Sequence, residues 1–249
     1  MRFGTIFARL KNNQFESMKF RYLFVTLTAV LALASCVKDE KKEPAEFKGE
    51  ISEERAVDMG TGVLWSGVNL GAGKAEQVGA FYAWAEPVKD TTAFSLDTYT
   101  HYSSTLTVYL KYNAGDKLVT IQQDDDPAAH FWGPEYRTPS RDDFEKLASA
   151  CVWTYAKLRG VVGWVATSKT TGNSIFFPLC GYRSGNAVKR EGSLGVYWTS
   201  ELTSTDAEAS GTNEANVNLS WSFGLTSASM VIGYADRFVG ANVRPVSTQ

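Results

Sequence analysis

The sequence predicts one α+β domain with more strand than helix. Three observations lead there. From Ala56 onward, short runs rich in β-branched and aromatic residues alternate with Gly, Asn and Thr clusters, the pattern of strands separated by turns. One stretch near residue 140 carries a strong helical signature. No internal repeat at solenoid or propeller spacing divides the chain. With 249 residues, 44% of them hydrophobic and 13% aromatic, there is material for one sizeable core.

Residues 61–70 (TGVLWSGVNL) and 79–84 (GAFYAW) read as strands or extended segments. Residues 90–115 are Thr- and Tyr-rich and irregular, with a strand expected over 105–111. A short helix is expected around 126–130. The main helix begins after Ser140, a good N-cap, and Asp142 and Asp143 favour its positive end. Phe144, Leu147, Ala148 and Cys151 recur on one face of it. Residues 163–168 and 174–178 form a predicted hairpin with Thr171-Gly172-Asn173 at the turn. Residues 195–200, 215–223 and 238–246 add strands, with long Gly-rich loops between them.

The first fifty residues read as an address. Lys19 and Arg21 form a positive region ahead of a mostly apolar run, 22–34. That run is too short for a transmembrane helix, which needs about 20 apolar residues. Leu33-Ala34-Ser35-Cys36 then fits the bacterial lipobox, so Cys36 is the expected lipidation site and residues 18–36 the lipoprotein signal peptide. Met18 is the expected start, with 1–17 an upstream extension. Residues 37–54 are charged and poor in apolar groups, and are expected to be a flexible tether. Lys38-Asp39-Glu40 resembles the signal that sends Gram-negative lipoproteins to the outer face of the outer membrane. The expected location is therefore an outer membrane lipoprotein facing the cell exterior, with the membrane as partner through the lipid.

Composition excludes several functions. The formal charge is −2, from 25 basic and 27 acidic residues, which gives no general attraction for nucleic acid. His101 and His130 are the two His, too few for a His-rich metal site. Asp124-Asp125-Asp126 has Ca²⁺-like chemistry but not EF-hand spacing, and it also reads as a helix start. No metal and no cofactor is expected. There is no Gly-x-Ser-x-Gly elbow, phosphate loop or dinucleotide fingerprint, and no base pairs with a nucleophile, so no catalytic residue is assigned. Cys151 and Cys180 are either a disulfide, as exported proteins allow, or two buried thiols packing as small hydrophobes.

Several segments occur in a telling order. VDMGTGVLW (57–65) precedes Asn69-Leu70-Gly71-Ala72 and GAFYAWAE (79–86). Then come Asp125-Asp126-Pro127-Ala128, Trp132-Gly133 and YRTPS (136–140). IFFPLCGYR (175–183), GVYWTS (195–200) and Val243-Arg244-Pro245-Val246 follow. Together these resemble the bacterial major paralogous domain family, FISUMP, over about residues 55–247. Tyr136, Thr138 and Cys180 stand where that family often has Trp, Leu or Met, and Ala. The family is similar to C-type-lectin-like domains and common in surface lipoproteins. The resemblance implies a single C-type-lectin-like domain over 55–249, with small mixed sheets, one or two helices and long loops. In such a fold the terminal strands pair and a long-loop region presents the binding surface. The Glu-Pro-Asn and Trp-Asn-Asp motifs of calcium-dependent sugar binding are absent.

The candidate ligand-binding residues are Arg183, Asn216, Asn218 and Trp221, which mix an aromatic platform with guanidinium and amide donors. Tyr197, Trp198 and Phe223 lie nearby and read as core, and Arg244 reads as a structural donor to carbonyls. The expected function is a surface-anchored, non-enzymatic binding or adhesion module for an extracellular protein or glycan. A structural subunit of a surface appendage or envelope complex is the second expectation. A formylglycine-generating-like oxidase using Cys151 and Cys180 is the third.

Overall fold

In the computed structural model the last strand of the chain pairs with one of the first. The structure describes residues 43–88, 93–203 and 218–248. The signal peptide, Cys36, the tether up to residue 42 and Asn216 lie outside the described residues. The fold itself is carried by one unit, Pro44–Gln249. Strands β1 (Val57–Asp58), β2 (Leu64–Trp65), β5 (Tyr136–Arg137) and β14 (Val246–Ser247) make an antiparallel sheet in the order β1-β2-β14-β5.

The middle of the chain supplies a ribbon and two helices. Strands β3 (Tyr102–Ser103) and β4 (Val108–Tyr109) pair over two residues. Helix α1 spans Pro127–Trp132, and its N-cap Asp126 accepts from Ala128 N at 2.9 Å. Helix α2 spans Arg141–Ala150 and starts as expected. Ser140 accepts from Asp143 N at 3.0 Å while the Asp143 carboxylate takes Ser140 N at 2.7 Å, a reciprocal capping box.

The helix stops one residue short of Cys151. That residue is extended, at φ −109° and ψ 156°, and opens strand β6 (Cys151–Leu158) instead of closing the apolar helical face. Strands β7 (Val161–Ser168) and β8 (Ser174–Pro178) follow as the expected hairpin, so the three form a meander. Strands β9 (Tyr182–Ser184) and β10 (Ala187–Lys189) make a short ribbon. The last sheet is β11 (Leu194–Leu202), β12 (Leu219–Thr226) and β13 (Met230–Asp236).

Several expected strands shrink. Of 61–70 only Leu64–Trp65 is strand, and of 79–84 only Tyr82 makes a bridge. Gly71 and Gly79 both have positive φ, at 84° and 74°, and turn the chain where a strand would run straight. Residues 238–246 are held by bridges at Gly240, Ala241 and Asn242 more than by a continuous ladder.

The main core lies between α2, the meander and the β11–β13 sheet. Phe144 stacks on Phe223 with centroids 4.7 Å apart, and Trp65 lies 5.1 Å from Phe144. Across the adjoining core runs Arg244, fully buried. Its Nε and Nη2 donate to Asn69 Oδ1 at 2.9 and 2.7 Å, Nη1 to Ser66 O at 3.2 Å and Nη2 to Phe176 O at 2.7 Å. Burial pulls its pKa down to about 10, so the guanidinium stays protonated at neutral pH. This is the structural role expected of it.

The tether expectation is corrected at its C-terminal end. Residues 45–54 are seated on the domain. Phe47 N donates to Lys157 O at 2.7 Å and Lys157 N to Ala45 O at 2.9 Å, and Ser52 N reaches Ser174 O at 2.9 Å. Phe47 and Ile51 pack against Ala156, Leu158, Val165 and Phe176. Composition averaged over a charged stretch hides these two apolar residues. Arg159 bridges Glu53 at 2.6 Å and Glu76 at 2.5 Å, but pairs so exposed to solvent add little to stability. Even partial burial of Phe47 and Ile51 outweighs that, since full burial contributes about 1.5–3 kcal/mol per side chain.

Two outcomes follow. Arg244→Met leaves three buried oxygens without a donor and is expected to lower stability by about 3 kcal/mol, read from urea midpoints. Burial pushes the Glu53 carboxyl up, yet hydrogen bonds from Arg159, Ala75 N and Lys74 outweigh it and hold the pKa at about 2. A carboxylate depressed from its ordinary 4.5 stabilises the fold above that value and loses the contribution as pH falls toward 2. The urea midpoint of wild type is therefore expected to drop more steeply over that window than that of Glu53→Gln.

Candidate functional site

Strand pairing decides which candidate residues meet. In the β12–β13 ladder Trp221 sits opposite Tyr234, Phe223 opposite Ile232 and Leu225 opposite Met230, so these six share one face. Helix α2 covers that face over Phe223 and ends, at its N-terminus, at Trp221. The Arg141 guanidinium lies 4.8 Å above the Trp221 ring, and Tyr234 meets Trp221 edge-on at 6.3 Å. Trp221 is half-buried and Tyr234 is 37% exposed.

The charges around this platform are arranged by the helix start. Arg141 Nε donates to Glu145 Oε1 at 2.8 Å, one turn along, and Arg141 N donates to Glu201 Oε2 at 2.9 Å. Burial raises the Glu201 carboxyl above its ordinary value, although the hydrogen bond from Arg141 N opposes the shift. The result is an edge-on aromatic pair with one cation over the Trp221 face and a carboxylate nearby. Such a surface stacks on planar or CH-rich groups and hydrogen-bonds polar ones.

The other candidate residues divide. Asn218 belongs to the same region: its carbonyl accepts from Arg237 N at 2.8 Å at the start of the ladder. Arg183 belongs elsewhere. It lies in β9, exchanges backbone hydrogen bonds with Gly240 at 2.7 and 2.9 Å, and holds its guanidinium 5.2 Å above Phe94. Arg141 and Tyr234 were not among the sequence candidates. Arg141 carried only the signal of a helix start, and Tyr234 becomes visible once the register sets it across from Trp221. Tyr197, Trp198 and Phe223 are core, as expected: Tyr197 Oη donates to Pro178 O and Trp198 Nε1 to Tyr82 O, both at 2.7 Å.

Between Cys151 and Cys180 there is no disulfide; both are free and buried. They sit in different clusters. Cys151 packs with Phe144 and Leu147, and Cys180 with Phe81, Ala83, Phe94 and Tyr99. Burial pushes the Cys151 thiol up to about 11 and the Cys180 thiol up to about 12. Thiols so shifted are protonated at neutral pH and are poor nucleophiles.

Elsewhere the polar groups are consumed by structure. Asp126 takes Thr138 N and Oγ1, both at 2.8 Å, and Asp125 takes Lys111 Nζ at 2.5 Å and Tyr112 Oη. The acidic run thus acts as a helix start and a clamp. Among the described residues no group of three or more His, Cys, Asp or Glu is placed to hold a metal ion. The ring of His101 pairs through Nε2 with Ala85 O at 2.8 Å. Arg237 is fully buried, donates from Nη1 to Tyr112 O at 2.9 Å, and stacks 3.3 Å from the Tyr109 ring centroid. Among the described residues, its Nε and Nη2, and Tyr109 Oη, have no hydrogen-bond partner.

No family model matches the chain, and no curated protein or solved structure matches it.

The thiol environment is directly measurable. At pH 8, Cys151 and Cys180 are expected to resist iodoacetamide in the native protein and to alkylate fully in denaturant, as read by peptide mass mapping. Rapid native labelling of either would contradict the buried, protonated state.

Proposed function

We propose that the chain is a lipoprotein, anchored through Cys36 on the outer membrane, whose domain binds an extracellular protein or glycan without chemistry of its own. The observation that carries this reading is the half-open platform of Trp221, Tyr234 and Arg141. Aromatic and Arg side chains of this kind dominate binding surfaces because they offer large contact area with few rotatable bonds. A platform formed by two neighbouring strands and a helix start is held in shape before any ligand arrives, which reduces the ordering cost of binding.

The anchor rests on the lipobox and the positive and apolar segments before it. Several acyl chains at about 0.8 kcal/mol per buried CH₂ would make attachment durable. The C-type-lectin-like fold and FISUMP membership belong to the same reading. The pairing of β2 with β14, the small antiparallel sheets and the few helices are compatible with them. An oxidase built on paired thiols is the weaker reading, because the two thiols lie in separate clusters and burial opposes their ionisation.

Two experiments test the proposal. Cys36→Ser is expected to move the chain from the membrane fraction to the soluble fraction, with loss of fatty acid from the mature N-terminus by mass spectrometry. On a glycan array and in cross-linking against intact cells, wild type is expected to capture a ligand. Trp221→Ala should bind at least roughly tenfold more weakly, the scale of a lost hot spot. Wild type that captures no ligand in either format would sink the binding reading, and so would Trp221→Ala that binds as well as wild type.

A further inference from the structure

Among the described residues, several strand edges are covered by neighbouring chain segments, and the edge of β13 is not. On the outer side of β11, Ile121 N donates to Ser200 O, Leu202 N to Val119 O, Trp198 N to Asn242 O and Asn242 N to Val196 O, all between 2.8 and 3.1 Å. Residues 45–47 bond to β6 at Lys157, and Ser52 bonds to β8 at Ser174. Strand β13 lies at the far edge of the order β11-β12-β13. In an antiparallel pair every second residue turns both backbone groups to its partner. The bonds from Arg237 N to Asn218 O and from Thr226 N to Ser229 O set that phase. Residues 231, 233 and 235 therefore face β12, and Met230, Ile232 and Tyr234 turn N–H and C=O outward. Among the described residues these outward groups have no partner.

This edge also lacks the usual guards. Natural edges are blunted by Lys, Pro, a bulge or a very short strand. Here Met230-Val231-Ile232-Gly233-Tyr234-Ala235 carries no charge and no Pro, and its register against β12 runs unbroken over seven residues. We propose that β13 is a self-association edge, pairing antiparallel with β13 of a second copy about a two-fold axis at Gly233.

The second copy is the occupant because the edge is complementary to itself. A dyad at Gly233 sets Ile232 against Tyr234 of the second copy and Met230 against its Asp236. Ile232 and Tyr234 face outward, so their backbone donors and acceptors fall opposite one another, whereas the Asp236 carbonyl already accepts from Val239 N at 3.0 Å. On one face the Ile232–Tyr234 contacts form twice, the β-branched and aromatic pairing that stabilises sheets. On the other face Val231 meets Ala235, and Gly233 meets Gly233. No like charges come directly opposite: the one charged residue, Asp236, lies across from Met230. The product is a continuous six-stranded sheet, and an isologous contact of this kind closes as a dimer and does not grow into a fibre. It carries two Trp221 platforms on the same face, although the pairing does not depend on what those platforms bind.

Gly233 provides the test. A Cβ built there meets nothing within 4 Å, and its backbone is not left-handed, so substitutions leave the monomer fold intact. Sedimentation velocity of the full chain over a wide concentration range is expected to show a monomer–dimer equilibrium. Gly233→Lys places two ammonium groups face to face across the dyad and should weaken the dimer at least roughly tenfold, with unchanged far-UV circular dichroism. Gly233→Cys should yield, under mild oxidation, a disulfide joining the two copies at residue 233, identified by peptide mass mapping. A non-hydrogen-bonded antiparallel pair sets Cα atoms about 4.5 Å apart, within disulfide range. The proposal is overturned by a wild type that stays monomeric throughout, by a Gly233→Lys dimer as strong as wild type, or by cross-links that avoid residue 233.

Discussion

The guanidinium of Arg244 joins parts of the fold that are far apart in sequence. It lies just before the last strand, and its donors reach Ser66 and Asn69 near the start and Phe176 in the meander. Burying a cation costs least where its donors are met, and here the partners are neutral carbonyl oxygens in place of a carboxylate. The ring of Phe177 packs 4.3 Å from its Cζ and excludes water. Strands of two residues, such as β1, β2, β5 and β14, cannot hold a sheet by backbone pairing alone. This polar hub, with the aromatic core beside it, lets the ends of the chain meet in register.

Arg237 presents the contrasting case. It is equally buried, but among the described residues its Nε and Nη2 have no acceptor, and its guanidinium lies over the rings of Tyr109 and Tyr99. Cation–π contact offsets only part of the desolvation of a guanidinium. The residue stands at the end of β13, where its N–H completes the ladder to Asn218 and its carbonyl accepts from Trp84 N at 2.8 Å. These two backbone bonds lie just beyond the β12–β13 ladder, whose register brings Tyr234 to Trp221.

What was legible in the sequence was local. The α2 start could be read because Ser140 and Asp143 are three residues apart and cap each other without help from the rest of the chain. The β7–β8 hairpin could be read because its turn lies between its strands. Strand β6 could not: Cys151 continues the apolar spacing of α2, and the change to extended backbone at that residue is imposed by pairing with β7. Strand β13 was hidden by Gly233 in its centre and by the small residues around it. The site was legible in the same measure. Trp221 and Asn218 stood out by residue type, whereas Arg141 and Tyr234 join them through contacts remote in sequence. Arg183 is chemically apt but belongs to another ribbon.

The platform and the open edge share β13, and the strand geometry keeps them separable. Tyr234 belongs to both: its ring stands beside Trp221 while its backbone groups point outward. Trp221 belongs only to the platform, because it sits on β12, which is paired on both sides. Gly233 belongs only to the edge, because it has no side chain and lies on the opposite face of the ladder from Trp221 and Tyr234. The proposed ligand face and the proposed pairing edge thus draw on residues that alternate along one strand with the period of the pleat. The Tyr234 ring is the one group common to both proposals, since it flanks Trp221 on its own copy and faces Ile232 of a second copy across the proposed edge.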